Sequence, residues 1–116
     1  MTYDNNPYYS PESLGLTILD SLEDGSLSYE FNMFIVWRRT SDGALFYASD
    51  SGCSCPSPFE DVSGIDDLTP ITGATYGEFE TALHEWQRGY GDSNRVDPTE
   101  IVNTERTVTN ALAGRE

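Results

Sequence analysis

The chain predicts an α+β fold: a three-stranded antiparallel β-meander packed by one amphipathic helix, with a second helix near the C-terminus. Three observations predict it. From Leu27 the residues alternate, with Leu27, Tyr29, Phe31, Met33, Ile35 and Trp37 on one face and Ser28, Glu30, Asn32 and Arg38 on the other. Thr40-Ser41-Asp42-Gly43 then supplies a hairpin turn, where glycine takes the positive φ that such turns demand. Later, Phe79, Ala82, Leu83, Trp86 and Tyr90 recur at helical spacing.

Taken in order, residues 1–13 are polar and Tyr-rich, carry Pro7 and Pro11, and read as an extended arm. The meander occupies 14–49. Leu14-Gly15-Leu16-Thr17-Ile18 alternates as a half-buried strand does, and Glu23-Asp24-Gly25-Ser26 is a turn. The long strand follows, and Phe34 and Val36 interrupt its polar face, so part of that face is expected to be covered too. Ala44–Ser49 returns as the third strand. Residues 50–74 lack periodicity and read as a long loop, a length that is usually functional or pinned by packing. Thr75-Tyr76-Gly77-Glu78 has the pattern of a capping box at the head of a 75–90 helix expected to cover the apolar face of the meander. Asp97-Pro98-Thr99-Glu100 opens the second helix, 97–113, with Asp as N-cap and Pro in the first turn. With no repeat and no clean linker, 1–116 reads as a single domain.

Composition narrows the chemistry. Twenty carboxylates face six arginines and no lysine, a formal charge of −14. That balance opposes direct binding to nucleic acid or to an anionic membrane, both of which recruit basic residues. It favours a protein partner with a basic surface. Solubility, GC-rich coding and adaptation to high salt are the plainer explanations. Without lysine there is no Schiff-base chemistry and no phosphate-binding P-loop. The motifs of serine hydrolases, zinc proteases and dinucleotide-binding folds are missing, so the chain reads as non-enzymatic and no cofactor is called for. No apolar run nears the ~20 residues of a membrane span. The first residues have neither the positive start nor the apolar stretch of a secretory signal, so a cytoplasmic protein is expected.

The run Asp50-Ser51-Gly52-Cys53-Ser54-Cys55-Pro56-Ser57-Pro58-Phe59-Glu60-Asp61 stands out, because it holds both cysteines of the chain. One intervening residue is too few for an easy disulfide. A zinc site built on Cys53 and Cys55 would need His84 and one of Asp50, Glu60 or Asp61 to complete it. The alternative is two buried thiols shaping a Pro-rich loop. His84 otherwise reads as a core-edge histidine hydrogen-bonded locally, and Trp37 and Trp86 as partners across the core. In a meander, the 23–26 turn and the exit of the third strand lie at one end of the sheet. Asp20, Glu23 and Asp24 are therefore expected to approach Asp50, Glu60, Asp61, Asp66 and Asp67, with Arg38 and Arg39 at the opposite end. With Phe59 as an aromatic anchor, this acidic end is the candidate partner-binding surface.

At these residues a resemblance enters. Tyr3-Asp4-Asn5-Asn6-Pro7-Tyr8-Tyr9-Ser10-Pro11-Glu12, the strand ending Val36-Trp37-Arg38, the Asp42-Gly43 turn and the cysteine run resemble a family of small uncharacterised acidic proteins, a domain of unknown function encoded by phages of actinobacteria. The likeness spans residues 3–70 and fades through the helices. It implies a shared scaffold and GC-rich coding, and it carries over no catalytic residue. It also implies a setting, the cytoplasm of an infected host, in which small acidic proteins bind and disable nucleic-acid-handling or defence enzymes.

Overall fold

The computed structural model describes residues 7–8, 10–23, 30–53, 64–88 and 98–114. It is α+β, with a four-stranded antiparallel sheet in the order β1-β2-β3-β4 and two helices. The strands are β1 (Leu16–Glu23), β2 (Glu30–Arg39), β3 (Leu45–Cys53) and β4 (Thr69–Ile71), and the helices are α1 (Tyr76–Arg88) and α2 (Pro98–Gly114). The sequence reading of three strands is thus one short. β4 has only three residues, too few for an alternation to register, and it exists because it pairs with Leu45–Tyr47 of β3. β3 also runs past Ser49: Asp50 to Cys53 pair with Met33 back to Glu30, so the first four residues of the expected loop belong to the strand.

Both faces of the sheet are buried, and β2 explains why. Its residues alternate between two cores. Phe34 and Val36 join Leu22, Leu45 and Ile71 with Phe79, Leu83 and Trp86 of α1 and Ile101 and Val108 of α2. Met33, Ile35 and Trp37 join Leu16, Phe46 and Leu68 on the reverse. The helices therefore cover the Phe34/Val36 face, not the Met33/Ile35/Trp37 face that the alternation marks as apolar. Among the described residues, Tyr8 packs on that second face together with Leu14 and Ile65, which lie in short 3₁₀ turns. Each fully buried side chain of this size contributes about 1.5–3 kcal/mol, so a strand that feeds two cores is a large share of the stability.

Three further expectations change. Where the expected arm is described it is not extended throughout: Pro11–Leu14 is a 3₁₀ turn ended by Gly15 at φ 73°, and the Trp37 indole N–H donates to the Pro7 carbonyl at 2.8 Å. Trp37 and Trp86 are not partners, since they lie in the separate cores on opposite sides of the sheet. At the head of α1 the Glu78 amide donates to the Thr75 carbonyl (3.0 Å), while the Thr75 hydroxyl turns back and accepts from the Thr72 amide (2.9 Å). The hydroxyl thus closes the preceding turn. Gly43, at φ 76°, holds the hairpin as expected.

Parity in β1 is reset by a bulge. Ile18 pairs with Trp37, but Asp20 pairs with Val36, leaving Leu19 over. Strand side chains alternate with period two, so an uninterrupted strand would place Leu16 and Leu22 on the same face. The extra residue sends Leu16 to one core and Leu22 to the other. Leu19 itself packs with the helix-side core.

Candidate functional site

The register decides which acidic residues meet. Glu23 of β1 and Asp50 of β3 both lie directly opposite Met33, one on either side of β2. Strands ~4.8 Å apart put their Cα atoms about 10 Å from each other, on one face. Asp66 and Asp67, both exposed, occupy a 3₁₀ turn that leads into β4. Because Thr69 pairs with Tyr47, that turn lies toward the Asp50 end of β3. Glu23, Asp50, Asp66 and Asp67 are therefore gathered at one end of the sheet. Asp24, Phe59, Glu60 and Asp61 lie outside the described residues.

Arg38 and Arg39 lie at the other end, opposite Leu45 and Leu16. Arg39 is committed within the fold. Its Nε and Nη2 donate to the two carboxylate oxygens of Asp42 at 3.0 and 2.7 Å, and its guanidinium sits 5.4 Å from the centre of the Phe46 ring. The hydrogen bond to Asp42 holds Arg39 above its ordinary pKa, so this charge is permanent.

Asp20 departs from the acidic set. The bulge turns it to the helix side, where its carboxylate accepts from the Thr104 hydroxyl at 2.7 Å. Thr104 is 1% exposed, the only buried polar side chain among the described residues. Asp20 therefore ties β1 to α2.

His84 does not bond locally. Its Nε2 is 2.9 Å from Glu105 Oε2 on α2, and the two side chains are 41% and 18% exposed. Glu80, one turn back on α1, brings a third ligand-type atom, and all three atoms lie within 4.8 Å of one another. Of the expected zinc ligands, Cys53 has its backbone in β3 and Cys55 lies outside the described residues. Sequence reasoning missed Glu80 and Glu105. The Glu80–His84 spacing of four on a predicted helix was a usable signal, but Glu105 is brought in only by the packing of α2. A cavity of about 480 Å³ lies elsewhere along α1, lined by Ala74, Gly77, Glu78, Thr81, Ala82 and Glu85. Its two carboxylates, Glu78 and Glu85, are exposed.

Residues 5–111 match the model of the family described as Domain of unknown function (DUF7574). The chain belongs to this family. No curated protein and no solved structure matches it. The span matched takes in all four strands, α1 and all but the last turn of α2, so the acidic end and the Glu80/His84/Glu105 group both lie within the DUF7574 scaffold. No described helix is long and apolar enough to cross a membrane.

Proposed function

We propose that this DUF7574 domain is a non-enzymatic binding protein, encoded by a phage of actinobacteria, that docks its acidic sheet end on the basic surface of a host or phage protein. The reading deepens to inhibition: the partner is an enzyme that handles nucleic acid or serves in defence, whose basic groove the carboxylates occupy in place of phosphates. One observation carries it, the polarity of charge along the strands. Glu23, Asp50, Asp66 and Asp67 share one end, while Arg38 and the self-paired Arg39 lie at the other. Such a field steers a basic partner toward one end of the molecule, and its pull weakens as salt rises.

The test is affinity capture in an actinobacterial host with the tagged domain, alongside a variant carrying Glu23→Lys, Asp66→Lys and Asp67→Lys. All three positions are exposed, so the sheet is expected to fold as before. The expected outcome is a basic protein retained by the unaltered domain, released by high salt and missing from the variant. Equal capture by both proteins refutes the docking surface.

A further inference from the structure

We infer that Glu80, His84 and Glu105 form a site for a zinc-class divalent cation that clamps α1 to α2. Glu80 and His84 are four residues apart on α1, which places them on one face of the helix. Glu105 reaches the same point from α2. Their ligand atoms all lie within 4.8 Å of one another, and the His84–Glu105 pair is at 2.9 Å. Zinc holds nitrogen and carboxylate oxygen at about 2.0–2.2 Å, so two ligands on one ion are about 3.0–3.4 Å apart, depending on the angle between them. The His84–Glu105 spacing already falls near that range. Glu80 needs only the rotation of an exposed side chain to complete the set.

Charge supports a cation at this point. Two carboxylates converge on a single imidazole in a chain of net charge −14. Even a protonated imidazole leaves the group at −1. Among the described residues, neither Glu80 nor Glu105 is ion-paired with an arginine. A divalent ion neutralises both carboxylates while the imidazole binds as the neutral base. The imidazole selects the class, because calcium and magnesium prefer shells made wholly of oxygen whereas zinc takes nitrogen and oxygen together. Three protein ligands leave a fourth position to water. Two of the ligands come from α1 and one from α2, so a bound ion would join the two helices. The proposed ligand set contains neither Cys53 nor Cys55, which separates this site from a cysteine-based zinc module. The inference does not depend on the docking surface.

The experiment uses untagged protein freed of metal by a chelator, titrated with Zn²⁺ by calorimetry and followed by thermal melting, with Mg²⁺ and Ca²⁺ in parallel. One zinc per chain is expected, with Tm raised by roughly 5–10 °C at saturation and little response to the other two ions. Glu80→Gln is the deciding variant, since Glu80 is exposed and the His84–Glu105 contact survives its loss. It should weaken zinc binding about tenfold or more and leave the metal-free Tm where it was. His84→Asn should abolish the zinc response, and Cys53→Ser with Cys55→Ser should preserve it. Bound Co²⁺ should show no sulfur-to-metal charge-transfer band. An unaltered chain whose Tm ignores zinc, a Glu80→Gln protein that binds as tightly as the parent, or a zinc response lost with the cysteines would each overturn the site.

Discussion

Replacing Thr104 by Val removes the hydrogen bond between α2 and β1 while nearly preserving side-chain shape. The Thr104 hydroxyl donates at 2.7 Å to the Asp20 carboxylate and lies 3.0 Å from the Glu100 carbonyl within its own helix. A hydrogen bond to a charged group contributes about 1.5–3 kcal/mol. Asp20 is only half-buried, so water recovers part of the loss, and the expected cost is about 1–2 kcal/mol. At this chain length, roughly 4 °C of Tm per kcal/mol gives a fall of about 4–8 °C. Chemical denaturation of the parent, Thr104→Val, Asp20→Ala and the double variant closes a thermodynamic cycle. A coupling of about 1 kcal/mol or more is expected, since the two single changes remove the same bond. Additivity to within about 0.3–0.5 kcal/mol would refute the latch and with it the internal role assigned to Asp20.

Two other expectations follow from the packing. Trp37→Phe removes the indole N–H that bonds the Pro7 carbonyl and should cost about 1–3 kcal/mol, chiefly from a buried carbonyl left without a donor. Limited proteolysis should then cut ahead of the Pro11–Leu14 turn faster than in the parent, and an unchanged rate there would show that this bond does not hold the N-terminal segment. Burial first, and the nearby Glu78 carboxylate second, hold the Tyr47 phenol above its ordinary pKa. The unfolded chain ionises near the ordinary value of about 10, so the folded protein keeps the proton longer. The stability contribution is full below about pH 10 and is lost as pH rises through the folded value. Tyr47→Phe should flatten that alkaline decline in denaturation midpoints measured across it, and an identical decline in both proteins would show the phenol to be irrelevant.

Local patterns were legible where one periodicity ran long enough to be read. The alternation through Met33, Ile35 and Trp37, the Asp42-Gly43 turn and the Phe79–Leu83–Trp86 stripe each state a backbone geometry within one segment, and each is present. The gathering of Glu23 with Asp50 was also legible, because a meander with short turns leaves no freedom about which strand ends coincide. The same reasoning misplaced Asp20, since nothing in Thr17–Leu22 marks Leu19 as the residue to be left unpaired. A bulge is chosen by what both faces must bury. Here, Leu16 and Leu22 belong to different cores.

The sequence by itself determined the class of fold, the antiparallel order of the first three strands, the strongly acidic character and the absence of familiar catalytic motifs, because composition and short-range spacing suffice for these. Tertiary structure alone decided which face of β2 the helices cover, that Asp50–Cys53 continues β3, that β4 exists, and that Glu80, His84 and Glu105 meet. Those are contacts between residues far apart in the chain. Their free energy depends on how two surfaces fit, and no local pattern records that fit.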